Sequence, residues 1–545
     1  MKKNNYNHWM LTAIAGCAMA LGLSACTDEL DIPQNGNIST KEEYYKTDDQ
    51  ALSGIAETYY QWMSGYGKFF VLLDALSDDF WAGGVNRNMD ANLEQLNEYT
   101  FNSDNDYIVA AYEYLYKVVY YSNLIINNVE PDTEGKTRCV AEAHFLRGWA
   151  NFYLAALWGT PPCLDHVLKN GEYSQGPSQP GELLKLAVED FTYAKQKLPT
   201  KTDVNDKTTG QRITSSAATV WLGKALLWQG DKAAAAKEFQ EVINSKLYKL
   251  WDGDLSLITR STSNNCCENI LEAQTPRDPN YIWSCEGWYN SNVFIHGYRG
   301  FNAYYLGAFD ANQQMGGLDN AGMATNTWGY FNPRQELLDV FVADDGKGGW
   351  GYRTTSFLKT GVQMLMSGIL QYADVVTQPG SDGIWCWKNR LRLEDDIYEF
   401  AYPMMACITQ RHTRLAEVLL LAAECLVETD NATATKYVNE VRTRAQAPLK
   451  SSVTLDDIKK EKRMELCGEG IRYLDIQRWG DAPTLLANQG KEVHSYTATD
   501  YAGNGKVNKQ AWTNSSAGFK DKHKLLPYPR VETEINKATI QNPGW

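Results

Sequence analysis

Apolar residues recur at spacings of three and four through most of the first 250 residues of this chain. That period places them on one face of an α-helix. It predicts helices at 42–63, 107–129, 136–157, 182–198, 215–229 and 232–244. Gly230 is suited to end the fifth of these helices and Asp231 to cap the sixth, so the last two are predicted to form a helical hairpin.

A second hairpin is predicted much later in the chain. Its helices lie at 414–428 and 432–446, and a turn at Asp430 and Asn431 joins them. Both hairpins are about 34 residues long and carry alanines where the helices cross, which resembles degenerate tetratricopeptide repeats. The predicted fold class is therefore mostly α, with helical hairpins as its repeating unit.

The stretch from about 250 to 405 has a different character, because Gly, Asn, Asp and aromatic residues replace the helical pattern. Between Tyr281 and Phe331, 13 of 51 residues are aromatic, about twice the chain average of 12%. Such a segment either packs as a core of its own or displays rings on a surface. We predict a large, irregular, aromatic-rich insert between the two sets of helices.

The first 25 residues have the pattern of a secretory signal. Lys2 and Lys3 give a basic start, and 10–23 form an apolar run that is too short to span a bilayer. The run ends in LSAC at 23–26, which resembles the lipobox at which bacterial lipoproteins are cut before an acylated cysteine. Cys26 would then anchor the mature chain through lipid, stably if more than one acyl chain is attached. The alternative is an ordinary soluble secreted protein.

The residues after Cys26 are predicted to form a tether over 26–40, since proline, glycine and asparagine there block regular structure. An acidic cluster of Asp28, Glu29 and Asp31 begins this tether. It resembles the surface-export signal of some Gram-negative lipoproteins. That likeness would place the chain on the outer face of the outer membrane.

Charge and motif content exclude several classes of protein. The chain carries 66 acidic and 52 basic residues, for a net charge of −14, which argues against nucleic acid or anionic lipid as a partner. There is no CxxC pair and no HExxH motif, so neither a zinc site nor a metallohydrolase is predicted. No apolar stretch after the signal approaches the ~20 residues of a membrane span.

The cysteines give little chemistry. Nine remain once Cys17 and Cys26 are set aside. Cys425 and Cys467 fall on apolar helical faces and are predicted to be core residues. Three others are close enough in sequence to allow one disulfide: Cys266, Cys267 and Cys285.

Glu461, Glu465 and Glu469 lie four residues apart on one face of a predicted helix. Two such acids could act as the catalytic pair of a glycoside hydrolase. Glutamates interleaved with arginines are more often structural, however, and arginine lowers the pKa of a paired carboxyl group, which makes it a poor proton donor. We therefore favour a structural role, with these nearby arginines as partners: Arg463, Arg472 and Arg478.

Three segments, in this order along the chain, resemble signatures of the RagB/SusD family of lipoproteins. The first is EAHFLRGWANFYL at 142–154, followed by WGTPP at 158–162. The second, at 458–480, is IKKEKRMELCGEGIRYLDIQRWG, with lysine at 462 where the family often has arginine. The third is LLPYP at 525–529 with QNPG at 541–544. Together with the lipobox and the repeats, the resemblance spans essentially the whole chain.

The resemblance implies a cell-surface binding lipoprotein of SusD-like fold, with no enzymatic activity. Such proteins sit as a lid on a TonB-dependent outer-membrane transporter of the SusC type and capture oligosaccharides, or in some cases peptides, for import. The implied organisation is a signal at 1–25, a tether at 26–40 and one domain at 41–545. Within that domain, the helical repeats cover about 41–250 and 410–480, and the insert carries the ligand site.

The resemblance also implies that the segment after the first helix brings polar groups to the ligand, as does the segment at 102–107. The candidates in the first segment are Asp79, Trp81, Asn86 and Arg87. Carboxylate, guanidinium and amide groups suit a sugar, because hydroxyls both donate and accept hydrogen bonds. The alternative is a capping loop in which Asp78 accepts from backbone amides.

The aromatic insert supplies the other candidates. A pyranose has an apolar face, and burying ~50 Å² of it against a ring contributes roughly 1 kcal/mol, so a few rings give micromolar to millimolar binding. Some of the candidate rings would face the ligand and the rest would be core: Trp283, Trp288, Tyr289, Tyr298, Tyr304 and Trp328.

Two further sets of residues have weaker signals. Trp385 and Trp387 alternate as in a short strand and are predicted to be structural. Asp310, Asp319 and Asp382 could supply oxygen ligands to Ca²⁺, but no EF-hand spacing is present, so no cofactor is predicted.

The predicted function is capture of oligosaccharides at the cell surface and their delivery to the transporter. Three alternatives stay open: capture of peptides or another oligomeric nutrient, a surface glycoside hydrolase on a helical scaffold, and a pure protein-interaction scaffold. Hydrolysis of a substrate would identify the hydrolase. Binding to a membrane partner without any small ligand would identify the scaffold.

Overall fold

The computed structural model describes residues 44–84, 86–275, 329–366, 377–389, 408–497, 506–510 and 514–545. The predicted signal, the lipidation site Cys26 and the tether lie outside these residues. Within them, no helix combines the length and the apolar character that crossing a membrane requires.

The described part is built mainly from helices. In chain order they are α1 (Asp48–Ala75), α2 (Ala91–Glu98), α3 (Asp106–Asn128), α4 (Glu134–Trp158), α5 (Glu182–Lys197), α6 (Ser215–Trp228), α7 (Lys232–Ser245), α8 (Gln335–Asp345), α9 (Tyr352–Phe357), α10 (Gly361–Met366), α11 (Leu415–Leu426), α12 (Asn431–Arg444), α13 (Leu455–Glu465), α14 (Arg472–Arg478), α15 (Ala482–Leu485) and α16 (Arg530–Ile535). The prediction of a mostly α fold is confirmed.

The strands are short and pair in antiparallel fashion. They are β1 (Phe80–Gly83), β2 (Asn269–Ala273), β3 (Tyr330–Pro333), β4 (Leu358–Thr360), β5 (Thr377–Pro379), β6 (Ile384–Cys386), β7 (Gln410–Arg414), β8 (Val493–Thr497) and β9 (Lys506–Gln510). β1 pairs with β3, β2 with β7, and β4 with β6, while β5, β8 and β9 form one small sheet. Trp385 lies in β6, as predicted for a short strand.

The helices from α3 to α7 pack each on the next, and α1 lies against α3 and α4. α11 packs on α7, so the second predicted hairpin stacks on the first and continues the same core. Three tryptophans at the centre of this core, Trp62, Trp149 and Trp221, are almost fully buried. The rings of Trp62 and Trp149 pack edge to face with centroids 6.0 Å apart, and those of Trp149 and Trp221 are tilted with centroids 6.2 Å apart.

Local signals placed most helix ends correctly. Asp231 caps α7 by accepting a hydrogen bond from the amide of Ala234, and Gly230 follows α6 with a φ of 89°. The predicted end of the first helix at 63 is wrong, since α1 continues to Ala75. Gly65 lies just beyond the predicted end and permits close packing within the helix, since a Cβ there would stand 2.1 Å from the ring of Tyr114.

The cysteines agree in part with their predictions. Cys425 and Cys467 are buried, as expected of core residues. Cys266 and Cys267 carry free thiols. Cys285, the third residue considered for a disulfide, lies outside the described residues.

Candidate functional site

A polar cleft of about 520 Å³ opens beside the end of α1, where the chain turns into β1. Four parts of the chain form its walls: the segment after α1, the start of α8, the end of α13, and the segment from α15 to β8. The residues that line it are Asp78, Trp81, Arg334, Glu336, Arg463, Leu485, Asn488, Gln489, Lys491, Glu492 and His494. We call this space the Trp81 cleft. Its volume falls in the range of small-molecule sites.

Trp81 forms part of the cleft floor and is held on three sides. The guanidinium carbon of Arg334 lies 3.7 Å from the centroid of its ring, and the ring of His494 lies 4.8 Å away. The indole nitrogen donates to Oδ2 of Asp382 at 2.7 Å. Trp81 is consequently only 3% exposed. In this structure it supports the cleft and presents no open face for stacking; the prediction that it contacts ligand stays a prediction.

Asp382 organises the groups behind Trp81. Besides the indole, it accepts a hydrogen bond from the backbone amide of Gln335 at 2.8 Å and contacts Nδ1 of His494. Burial alone would raise the pKa of Asp382, but the hydrogen bonds from His494, Trp81 and Gln335 lower it. Because an ionised carboxylate can only accept, Nδ1 of His494 carries the hydrogen, and Nε2 has no hydrogen bond within the described ranges.

Asp78 and Asp79 form ion pairs with two arginines of the second signature. Arg472 donates from Nε and Nη2 to the two carboxylate oxygens of Asp78, at 2.8 Å and 2.9 Å. Arg463 donates from Nε to Asp79 at 2.7 Å and also lies 3.1 Å from Asp78. The alternative that Asp78 mainly satisfies backbone amides is therefore wrong. Asp79 is buried beneath the cleft, and its predicted ligand contact stays a prediction.

The pKa values of these two neighbouring carboxyl groups shift in opposite directions. Burial would raise the pKa of Asp78, but Arg463 and Arg472 together lower it to about 2. Burial raises the pKa of Asp79, helped by the negative charge of Asp78 and only partly opposed by Arg463. The two arginines thus stabilise the charged form of Asp78, whereas the charged form of Asp79 remains unfavourable.

The cleft presents both donors and acceptors that are not used up by the fold. Arg334 donates from Nε and Nη2 to Phe80 O and Asn97, and Arg463 binds through Nε and Nη2, so each guanidinium keeps Nη1 without a partner among the residues described. On the rim, two exposed carboxylates make no hydrogen bond or ion pair with described residues: Glu336 and Glu492. Lys491, also exposed, donates to the side chain of Asn488 at 2.9 Å.

The loop with the other two candidates lies close to the end of the aromatic-rich stretch at 281–331. Arg87 forms ion pairs with Glu94 at 3.0 Å and Glu98 at 2.6 Å, and Asn86 is exposed. Just before this loop, the amide of Gly84 donates to the carbonyl of Gly329 at 3.2 Å. The pairing of β1 with β3 therefore brings the end of this aromatic-rich stretch beside the segment that carries the predicted polar contacts.

The aromatic candidates cannot be placed in the same way. All six lie outside the described residues: Trp283, Trp288, Tyr289, Tyr298, Tyr304 and Trp328. Sequence reasoning also missed several cleft residues, namely Arg334, Glu336, Lys491 and His494. No local signal could have found them, because the cleft is formed by segments that are distant in sequence. Trp81 and its partner Asp382, for example, are 301 positions apart.

The three glutamates of the second signature lie in a different place, a buried network that we call the ion lattice. Its acidic members are Glu268, Glu461, Glu465 and Glu469, and its basic members are Arg353, Arg414, Arg442, Arg444 and Lys388. The prediction of ion pairing is confirmed. The predicted partners are wrong, because Arg463 and Arg472 bind Asp78 and Asp79, and Arg478 binds Glu424.

Arg414 is the centre of the ion lattice. It donates to Glu268 at 2.7 Å, to Glu465 at 2.7 Å and to Glu469 at 2.8 Å, and these side chains are buried. Burial would raise the pKa of Glu469, but Arg414 and Lys388 lower it well below the ordinary value. Glu469 is therefore held as an ionised structural partner of Arg414 and Lys388.

The described residues give no support for a metal. They contain no group of three or more His, Cys, Asp or Glu side chains arranged to hold an ion. Asp382, one of three candidates for Ca²⁺, is occupied by the donors described above, and Asp310 and Asp319 lie outside the described residues.

Two family models match the chain. The model of the SusD family matches residues 408–545, and a model described as starch-binding associating with outer membrane matches residues 49–227. A SusD-like protein of Bacteroides ovatus is 26% identical over 501 residues, covering 84% of this chain and 81% of that protein. A SusD-like protein of Formosa agariphila is 25% identical over 558 residues, covering 97% of this chain and 98% of that protein.

Solved structures share the fold. A laminarin-binding SusD-like protein superposes with a TM-score of 0.70 at 23% identity, covering 92% of this chain and 100% of that one. Surface glycan-binding protein A from Bacteroides thetaiotaomicron, solved in complex with laminarihexaose, gives a TM-score of 0.69 at 20% identity over 91% of this chain and 99% of that one.

Proposed function

This chain belongs to the SusD family, and we propose that it is a cell-surface glycan-binding lipoprotein that captures oligosaccharides and delivers them to a TonB-dependent transporter of the outer membrane. The lipid anchor at Cys26, the position on the outer face of the membrane and the SusC-type partner are parts of this proposal. Peptide capture by the same route is the second candidate.

The observation that carries the proposal is the chemistry of the Trp81 cleft. Among the residues that the structure describes, Nη1 of Arg334 and of Arg463 has no acceptor, and the carboxylates of Glu336 and Glu492 have no donor. A sugar hydroxyl donates one hydrogen bond and accepts others, so a ligand rich in hydroxyls matches a lining that offers both. A hydrocarbon ligand would leave these polar groups unpaired, at a cost in affinity.

The aromatic insert supplies the complementary apolar contacts in this proposal. Gly329, near the end of the aromatic-rich stretch 281–331 of this insert, lies beside Gly84, within a few residues of Asn86 and Arg87. Rings from the insert would stack on the apolar faces of the sugar while the polar groups read its hydroxyls. Affinity would come mainly from the rings and specificity from the hydrogen bonds.

We propose binding without hydrolysis. The acid pairs that favoured a glycoside hydrolase belong to the ion lattice, where arginine or lysine binds each carboxylate. A general acid needs a raised pKa and access to the glycosidic oxygen. Burial would raise the pKa of Glu469, but Arg414 and Lys388 lower it below the ordinary value.

Calorimetric titration tests the binding function. The chain from Thr27 onward is titrated with plant, host and microbial oligosaccharides and with mixed peptides. We expect saturable binding to one class of glycan, with a Kd between about 1 μM and 1 mM, and its loss in the Trp283→Ala/Trp328→Ala double variant. Binding to peptides alone would favour the second candidate, and heat from no ligand would contradict both.

The anchor and the partner need a separate test in cells. Cys26→Ala should abolish labelling with a radioactive fatty acid, while Cys17→Ala should leave it unchanged. Surface exposure is measured by the sensitivity of intact cells to added protease, and the partner by copurification of an outer-membrane transporter. Labelling that persists in Cys26→Ala would contradict the predicted anchor.

A further inference from the structure

Trp350 is an exposed tryptophan that lies outside the Trp81 cleft. Half of its surface, 50%, is open to solvent, although tryptophan is usually well buried. It follows α8, whose first turn belongs to the Trp81 cleft through Glu336. Since α8 rises 1.5 Å per residue, its far end lies about 15 Å from the cleft.

The backbone around Trp350 is fixed by hydrogen bonds from side chains. Asp345 accepts from the amide of Lys347 at 2.8 Å and from the amide of Gly351 at 2.9 Å, and also from the hydroxyl of Thr354 at 2.8 Å. Burial alone would raise the pKa of Asp345, but these donors lower it, so the carboxylate that holds the loop is ionised at neutral pH.

Both neighbours of Trp350 are buried glycines with a structural reason to be glycine. Gly349 has a φ of 92°, and its carbonyl accepts from Gln363 at 2.7 Å. A Cβ on Gly351 would stand 2.5 Å from the Cβ of Asp345. The backbone that carries the exposed indole is therefore held by hydrogen bonds before any ligand arrives. Because it is already ordered, less entropy is lost on binding.

We propose that Trp350 is a stacking platform for one sugar ring of a bound glycan, outside the Trp81 cleft; this inference rests on the proposed function. Within the described ranges, no ring and no cation packs on its indole. The exposed neighbours in its loop are Gly346, Lys347 and Gly348 rather than apolar side chains.

The size of the surface decides between a glycan and a protein as the occupant. A stable protein interface buries about 800 Å² on each partner and centres on several apolar residues. Trp350 is the only large apolar side chain that is exposed among residues 329–363, whose burial the structure describes. One indole matches one pyranose face of ~50 Å², and burying that area predicts a contribution of about 5- to 10-fold to the Kd.

Fluorine NMR on the chain from Thr27 onward, labelled with 5-fluorotryptophan, tests the proposal at this residue alone. The signal of Trp350 is the one missing from Trp350→Phe. The probes are laminarihexaose, cellohexaose, xylohexaose and maltohexaose. With the probe that binds, we expect the Trp350 signal to shift saturably and Trp350→Ala to weaken the calorimetric Kd by about 5- to 10-fold. Trp350→Phe should lose less.

Tyr120→Ala is the matched control, because Tyr120 is also an exposed aromatic residue but lies on α3. It should bind the probe as the unchanged chain does. If other tryptophan signals respond while that of Trp350 does not, and Trp350→Ala keeps its affinity, the platform is wrong and the glycan-binding function stands. If no signal responds and no probe gives heat, the platform and the binding function fail together.

Discussion

The helix α13 contributes one face to the ion lattice and another to the Trp81 cleft. Both regions contain arginines and carboxylates, but these side chains have different roles in the two regions. Glu461 and Glu465, four residues apart, point into the ion lattice and bind Arg353, Arg414, Arg442 and Arg444. Arg463, between them in sequence, lines the Trp81 cleft. A helix turns by about 100° per residue, so a shift of two positions reaches the other side.

The difference between the regions lies in what remains for a ligand. In the ion lattice, Arg414 is surrounded by three glutamates and is closed off from solvent. In the Trp81 cleft, Arg463 uses two of its nitrogens for Asp78 and Asp79, and its Nη1 has no partner in the part of the chain that the structure describes. Charge alone therefore does not mark a functional site; an unsatisfied group beside accessible space does.

The largest effect is expected in the ion lattice. Arg414→Met should lower the free energy of unfolding by about 3–5 kcal/mol, because it leaves Glu268, Glu465 and Glu469 buried with too few positive partners. Urea denaturation at neutral pH measures this. Arg414→Lys keeps the charge but loses the planar guanidinium group. Its free energy of unfolding should lie between those of the unchanged chain and of Arg414→Met. A loss below about 1 kcal/mol would show that the lattice does not hold the fold.

The next effect separates the two carboxyl groups beneath the cleft. The pKa of Asp78 falls from 3.8 to about 2, so its charge favours folding above pH 3.8, and this gain disappears as the pH falls towards 2. Asp78→Asn should cost about 2 kcal/mol at neutral pH and progressively less in acid.

Asp79→Asn is the matched control, with the opposite sign. The raised pKa of Asp79 means that its charged form opposes folding, so the amide should stabilise the chain at neutral pH. The gain should vanish as the pH falls through the folded pKa of Asp79 and the native carboxyl group takes up its proton. Equal losses in the two variants would contradict the opposite shifts.

Features that depend on neighbouring residues could be predicted from the sequence, whereas features that depend on distant residues could not. α3 and α5 were placed within a residue or so because their periodicity and caps are local, such as Asn105 accepting from the amide of Tyr107. Asp79 and Trp81 were selected from the sequence, but their burial was not foreseen, because it depends on Arg463 and Asp382, hundreds of positions away.

A smaller effect, on binding alone, is expected at the cleft rim. Glu336→Ala combined with Lys491→Ala should weaken the Kd for the bound glycan by about 5- to 10-fold, since each side chain offers hydrogen bonds to hydroxyls. Both residues are exposed, so the free energy of unfolding should change by less than about 0.5 kcal/mol. Calorimetry and urea denaturation measure the two quantities on the same preparation. Unchanged affinity would remove the rim from the site.

The smallest effect is expected for an ion pair on the surface. Arg530 and Asp104 lie 2.8 Å apart, close to the distances in the lattice, but both side chains are largely exposed. Arg530→Gln should leave the midpoint of urea denaturation unchanged, because water screens the pair. A loss as large as that of Arg414→Met would mean that burial is not what distinguishes the lattice.

The most direct test of glycan capture at the Trp81 cleft is a crystal structure of the chain with the oligosaccharide that binds it in solution. The account predicts sugar density in the cleft, with hydroxyls within hydrogen-bond distance of Arg463 Nη1 and of Glu336 or Lys491. Density for a well-ordered oligosaccharide elsewhere, with the cleft holding only water, would contradict it.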